Sequence, residues 1–262
     1  METITHRIVW SFIFLLPVIV FQGNGKVLIQ TLKSVKVLGL LLVTTLLIAL
    51  NWLIFIWAVN NNLILQTSLG YYINPLVNVL FGTIFLKEKL PGFQALAVFI
   101  AGIGVFYLTW QYGVFPWIAV LLALTFGSYG LIRKMLDLDP AVGLAVETLL
   151  LTFPGIAYLF WLEKTGAASF LHVNGLTDLF LIGTALVTAL PLLLFNMGAR
   201  RLRLTTIGFL QYLSPTVTFI LAVFVYQEPL SSHQLIAFVL IWSALGIYTL
   251  DSTRSFRKKS VR

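Results

Sequence analysis

The sequence predicts an all-α integral membrane protein, an inverted-repeat helical bundle with nine transmembrane helices of an expected ten. Three observations carry that prediction. Of 262 residues, 59% are hydrophobic and only 10% charged, with a mean hydropathy of +0.97, a balance that chains folding in water do not show. Apolar runs of membrane-crossing length recur from end to end, and no connector between them is large enough for a soluble domain. A block of the sequence also reappears 140 residues further on.

A hydrocarbon core takes about 20 helical residues to cross. That length places spans at 5–22, 37–59, 63–86, 91–110, 113–132, 140–162, 176–199, 204–226 and 231–250. Lipid offers the backbone no hydrogen-bond partners, and the runs lack a period of two, so helices are expected rather than barrel strands. The formal charge of +8 comes from 17 Lys+Arg against 9 Asp+Glu. Fifteen of the basic residues fall in alternate connectors: Lys26, Lys33 and Lys36; Lys87 and Lys89; Arg133 and Lys134; Arg200, Arg201 and Arg203; and the tail 251–262. Lys164 alone sits in the opposite set, and Arg7 heads the first span. Short basic loops stay cytoplasmic, so the C-terminus is expected inside and the N-terminus outside. The same distribution accounts for the net charge without nucleic acid. No cysteine occurs, which excludes disulfides, thiolate metal sites and thiol nucleophiles.

Residues 51–110 align with 191–250 without a gap. Ten positions are identical, among them Phe55/Phe195, Tyr72/Tyr212, Pro75/Pro215, Glu88/Glu228 and Gln94/Gln234. Ten matches are few for apolar helices. The recurrence of a mid-span proline and an end-of-span glutamate thirteen residues apart is more specific. Glu88 and Glu228 fall on opposite sides by the charge count, so the repeat is inverted, as in many transport folds. Two halves follow, 1–110 and 113–250, with a basic tail at 251–262. At the same offset the span 113–132 pairs with positions before Met1, and a further helix is expected there.

Ionisable and amide side chains inside spans are costly unless they face protein or water. Arg7 and Glu147 occupy equivalent repeat positions. Glu147 is a candidate for a proton or an amine and Arg7 for a carboxylate; the alternative is that the two pair as a structural lock, or that Arg7 snorkels. A second constellation is a polar stripe. Tyr71, Asn74 and Asn78 share one helix face, and Gln211, Ser214 and Thr218 repeat their spacing, beside the helix-hinge candidates Pro75 and Pro215. These stripes either line a solute pathway or glue helices together. Asn51, Trp10, Tyr72 and Tyr212 complete the candidate pathway; the three aromatics offer faces for a planar or cationic ligand. Glu88 and Glu228 each precede a helix with a proline at the turn and are expected to cap it. Two small-residue stripes, Ala119/Ala123/Gly127 and Ala97/Ala101/Gly104, are expected to allow close helix packing, the second alternatively a homodimer seam. Gly23-Asn24-Gly25-Lys26 lacks the remaining residues of a phosphate loop. His6, His172 and His233 have no zinc spacing, and no catalytic residue, metal or cofactor is expected.

Several strings taken together resemble the RarD branch of the EamA-type permeases, within the drug/metabolite transporter superfamily. They are Thr5-His6-Arg7, Asn51-Trp52, Phe55-Ile56-Trp57-Ala58-Val59-Asn60, Ser68-Leu69-Gly70-Tyr71, Ile73-Asn74-Pro75-Leu76 and Phe85-Leu86-Lys87-Glu88 in the first half. Tyr129-Gly130-Leu131, Arg133-Lys134, Glu147-Thr148, Pro191-Leu192, Arg201-Leu202-Arg203, Gly208-Phe209, Gln211-Tyr212 and Pro215-Thr216 follow in the second. The resemblance implies a ten-helix protein of the bacterial inner membrane, embedded in lipid, that exports small metabolites, amino-acid-like solutes or drugs such as chloramphenicol. Without a nucleotide motif the expected mechanism is secondary transport by alternating access, with proton coupling through Glu147 as one reading. The rival expectation is a truncated, non-transporting membrane protein with a structural or interaction role; an enzyme is not expected, since no nucleophile, base and acid cluster.

Overall fold

Polar and glycine-containing turns divide the apolar chain into helices throughout. In the computed structural model, which describes residues 1–227 and 232–260, these are α1 (Glu2–Phe21), α2 (Gly25–Lys33), α3 (Val35–Asn60), α4 (Ile64–Ile84), α5 (Gly92–Gln111) and α6 (Trp117–Met135). They continue as α7 (Pro140–Thr165), α8 (Gly175–Arg201), α9 (Leu204–Gln211), α10 (Leu213–Ile220), a π-helical turn (Leu221–Val225) and α11 (Ser232–Ser260). Among the described residues, eight helical segments are long and apolar enough to cross a membrane, the run from Leu204 to Val225 counting as one. The chain is thus an all-helical, multi-pass membrane protein. Of the nine predicted spans, α4 is the one outside that set. Its 21 residues suffice in length, but Gln66, Thr67, Ser68, Asn74 and Asn78 make it the most polar of the expected spans. The short helix α2 was not expected; Lys26 and Lys33 lie on it, and Val27 and Leu28 pack on apolar residues of α1 and α7.

Two compact units form, and each draws on both halves of the sequence: Met1–Leu47 with Ile132–Arg201, and Ile48–Leu131 with Leu202–Arg262. In the first, α1 packs against α7 and α8. Leu15 and Ile19 of α1 meet Ala141, Val142, Leu144 and Ala145 of α7. The start of α7 is set locally: Asp139 accepts from the backbone N–H groups of Ala141 and Val142 at 3.0 and 3.2 Å, and Pro140 takes the first helical position, where its missing N–H costs nothing. From Pro140 to Thr148 every residue is buried, the pattern of a helix enclosed on all sides.

In the second unit α5 packs on α11 and α4 on α9. The Ala97/Ala101/Gly104 stripe is taken up inside the chain: Ala97 and Ala101 are fully buried, and a Cβ on Gly104 would lie 3.2 Å from the Ala237 carbonyl of α11. The stripe is therefore an internal packing face. The other stripe does the same against α4, where Gly70 approaches Ala119 and Gly127 approaches Val77. The closest approach to backbone is at Gly208, whose Cβ would stand 2.6 Å from the Pro75 carbonyl. Backbone cannot yield as a side chain does, so Gly208→Ala is expected to destabilise the protein by about 1–3 kcal/mol. Equilibrium unfolding in detergent checks this, and an unchanged midpoint would contradict it.

The two prolines of the predicted hinge pair behave differently. Helix α4 runs through Pro75 without interruption, whereas the chain breaks at Tyr212 between α9 and α10, three residues before Pro215. Pro215 has no N–H to offer the carbonyl one turn earlier, and the Leu221–Val225 π-turn adds a second irregularity. Glu228 and Pro229 lie outside the described residues.

Candidate functional site

The polar stripes of α4 and of α9–α10 meet, but with two different outcomes at their two ends. At one end Asn74 and Asn78 both donate through Nδ2 to Oε1 of Gln211, the first at 3.1 Å. Asn78 is completely buried there, and the Oδ1 atoms of both asparagines have no hydrogen-bond partner. At the other end the repeat-equivalent residues, Tyr71 of α4 with Ser214 and Thr218 of α10, line a cavity of about 430 Å³. Among the described residues no hydrogen bond joins Tyr71 to Ser214 or Thr218. The stripe that looked uniform in sequence is thus closed over one half of its length and open over the other.

Tyr72, Pro215, Ser68, Phe219, Gln234 and Phe238 also line this cavity. The ring of Tyr72 meets Phe238 edge-on at 5.7 Å. Among the described residues no Lys, Arg, Asp or Glu contributes to the lining, so the described wall offers hydroxyls, an amide and aromatic faces. Every lining residue of α4 comes from its first half and those of α11 from its beginning, so the cavity sits at the end of this unit opposite Lys87, Lys89 and Arg203. Ser68, Phe219, Gln234 and Phe238 are not among the pathway candidates drawn from the sequence. The recurrence of Gln94 as Gln234 was visible, yet the two diverge, since Gln94 donates to Asp251 at 3.0 Å.

Two other candidates take structural places. Asn51 reaches α6, donating to the Leu122 carbonyl at 2.9 Å and to Thr125 Oγ1 at 2.8 Å. Tyr212 is buried in the core cluster beside Phe209. Glu88 is a cap, but of a different helix from the one expected. Its two carboxylate oxygens accept from the backbone N–H groups of Leu204 and Thr205 at 2.8 and 2.9 Å, at the start of α9, while α5 begins at Pro91 without a side-chain cap.

In the other unit, Arg7 and Glu147 take separate partners. Arg7 donates through Nε to Thr188 Oγ1 at 2.6 Å. Glu147 accepts from Thr44 Oγ1 at 2.6 Å, and Arg133 Nε lies 3.7 Å from the same carboxylate oxygen. Both side chains of this ion pair are about 3% exposed or less. Arg133 was read as a connector residue; it belongs instead to the last turn of α6 and turns inward, its Nη2 donating to the Pro140 carbonyl at 3.2 Å. Room for the guanidinium comes from Gly143, where any Cβ would collide with Arg133. Gly143 and Glu147 are one turn apart on the same face of α7, a spacing that could have drawn attention to the glycine. The inward turn of Arg133 has no such signal, because basic residues at the end of a span ordinarily face headgroups.

Trp10 lies near the N-terminal end of the same unit. Its ring centroid is 6.3 Å from that of Phe170, in the connector between α7 and α8, and its Nε1 is buried without a hydrogen-bond partner. Among the described residues no group of three or more His, Asp or Glu could hold a metal ion.

The sequence model of the EamA-like transporter family matches residues 1–110 and 116–250. The chain is 44% identical over 260 residues to the uncharacterized transporter YojE of Bacillus subtilis strain 168, covering 97% of this chain and 86% of that protein. It is 42% identical over 259 residues to protein RarD of Salmonella typhi, covering 98% and 88%. With the chloramphenicol-sensitive protein RarD of Pseudomonas aeruginosa the identity is 32% over 266 residues, covering 100% and 88%. A protein of known crystal structure shares the fold at a TM-score of 0.70 and 16% identity, over 95% of this chain and 87% of the other.

Proposed function

The chain belongs to the EamA-like transporter family, and from that premise we propose that it exports a small, uncharged amphiphilic solute by alternating access, with the cavity beside Tyr71 as a solute-binding chamber. The observation that supports this reading is the unequal state of two repeat-equivalent contacts. Asn74 and Asn78 are closed on Gln211, while Tyr71 and its counterparts Ser214 and Thr218 stand around open space. An inverted repeat whose halves exchange conformations closes one end as it opens the other. In the opposite state Tyr71 would close on Ser214 and Thr218, and the amide cluster would come apart, freeing acceptors that already lack partners at Asn74 and Asn78.

The volume is that of a small-molecule pocket, and the lining, uncharged among the described residues, favours solutes that bring hydroxyl, amide or aromatic groups. Chloramphenicol is such a solute, and one relative carries its name; neutral metabolites of similar size fit the same description. The break at Tyr212 beside Pro215 supplies a place to bend. In this reading the two sequence halves, 1–110 and 113–250, are the exchanging repeats, the basic connectors and tail face the cytoplasm, and Glu147 is the group that takes up the coupling proton.

The test is efflux of labelled chloramphenicol from proteoliposomes. Saturable, protein-dependent flux is expected; Ser214→Leu, which fills the cavity, brings it to the rate of protein-free liposomes, and Glu147→Gln removes its dependence on a proton gradient. Flux unaffected by Ser214→Leu would take the cavity out of the pathway.

A further inference from the structure

The N-terminal end of α1 holds a second arrangement that the transport reading does not use. His6 is 4% exposed, and neither ring nitrogen has a hydrogen-bond partner. One turn on, the indole N–H of Trp10 is likewise buried and unpartnered. Leaving polar groups unpaired in a buried site is costly, and here they belong to neighbouring residues on one helix face. Phe170 covers them both: its ring lies 4.7 Å from that of His6 and 6.3 Å from that of Trp10.

Phe170 is held there by its own backbone. Glu2 Oε1 accepts from the N–H groups of Ser169 and Phe170 at 2.7 and 3.1 Å. Asp178 accepts from the N–H of Leu171 at 2.7 Å. Leu171 has a φ of 63°, a left-handed conformation that a branched side chain adopts only when its surroundings impose it. The connector is therefore a strap, fastened at both ends of one strained residue by carboxylates.

We infer that His6 and Trp10 form a second solute-binding subsite, for a planar aromatic ring bearing a neutral hydrogen-bond acceptor, and that Phe170 occupies it as a removable cover. The ring of the solute takes the place of the Phe170 ring, and its acceptor takes the N–H of Trp10 or His6. A neutral acceptor, not an anionic one, fits the local charge: the Glu2 carboxylate stands 3.8 Å from His6, and the Asp178 carboxylate acts on the same ring. Release needs only the two Glu2 hydrogen bonds to open, since that of Asp178 anchors the far side of the strap.

The chain has no cysteine, so single thiols report cleanly. His6→Cys is expected to react with a membrane-impermeant maleimide about tenfold faster when Glu2→Ala or Phe170→Ala is added, because the open fraction of the strap rises with the loss of two charge-assisted bonds or of the ring. Equal rates in all three proteins would overturn the cover. Binding is read separately by calorimetry on the detergent-purified protein. Phe170→Ala is expected to bind benzamide about tenfold more tightly than the unsubstituted protein, a gain of one decade in Kd that Trp10→Phe or His6→Ala abolishes; benzylamine and acetamide show no gain. Glu2→Ala, which leaves Phe170 in place, gives the same direction of change. Benzamide affinity unaltered by both Phe170→Ala and Glu2→Ala would overturn the subsite. Because these readouts are reactivity and binding, their failure leaves flux through the Tyr71 cavity standing, and loss of that flux leaves them intact.

Discussion

Replacing Arg133 with methionine is expected to destabilise the protein by about 3–5 kcal/mol, the cost of leaving a buried charge without its partner. The Glu147 carboxylate would keep its hydrogen bond from Thr44 but lose the Arg133 guanidinium, whose Nε lies 3.7 Å away. Adding Glu147→Leu to Arg133→Met is expected to recover most of the loss, because two apolar side chains need no compensation and buried ion pairs contribute little beyond mutual neutralisation. Gly143→Ala should mimic Arg133→Met in part, by expelling the guanidinium while leaving its charge present. Equilibrium unfolding of the four proteins in mixed detergent micelles checks the set. A double variant as unstable as the single one would mean that Arg133 contributes through packing, not through Glu147.

Bridging Asn78→Cys to Gln211→Cys with a short, cleavable bis-thiosulfonate reagent is expected to stop efflux altogether, and reduction to restore it. The two side chains are hydrogen-bonded at the closed end of the stripe, so the bridge forms in the conformation described and holds that end shut. Tyr71→Cys with Thr218→Cys tests the converse. These residues line the same cavity, and among the described residues no hydrogen bond joins them, so their bridging should be slow, should accelerate when solute drives the cycle, and should also stop transport. Efflux that survives either bridge would mean that the two ends of the stripe do not alternate. Both experiments use a chain with no other thiol.

Much of the architecture was legible from residue order because the bilayer leaves few alternatives. Backbone groups in lipid must pair within their own helix, so apolar length and connector composition were enough to place the helices, and the observed bounds of α3 and α7 differ from the predicted spans by only a few residues. The candidate residues Tyr71, Asn74, Asn78, Gln211, Ser214 and Thr218 came from spacing on one helix face, and spacing survives folding. What they do could not be read that way. Asn74 and Tyr71 both carry hydrogen-bonding groups and lie one turn apart, yet one closes on Gln211 and the other faces a cavity. Which occurs depends on how α4 lies against α9 and α10, and so on the glycine at 208 and the break at Tyr212.

The charged residues show the same division. Residue type and position sufficed to mark Glu147 as an intramembrane carboxylate and Glu88 as a cap, since both readings need only chemistry and depth. Their partners were decided by packing. Glu88 caps α9 rather than the helix that follows it, Arg133 lies beside Glu147, and Arg7 donates to Thr188. Arg133 was assigned to a connector because a long cationic side chain at a span end has two low-energy choices, outward to headgroups or inward to a carboxylate. Local sequence leaves that choice open; a glycine on the facing helix, ten residues away in the chain and beneath the guanidinium in space, decides it.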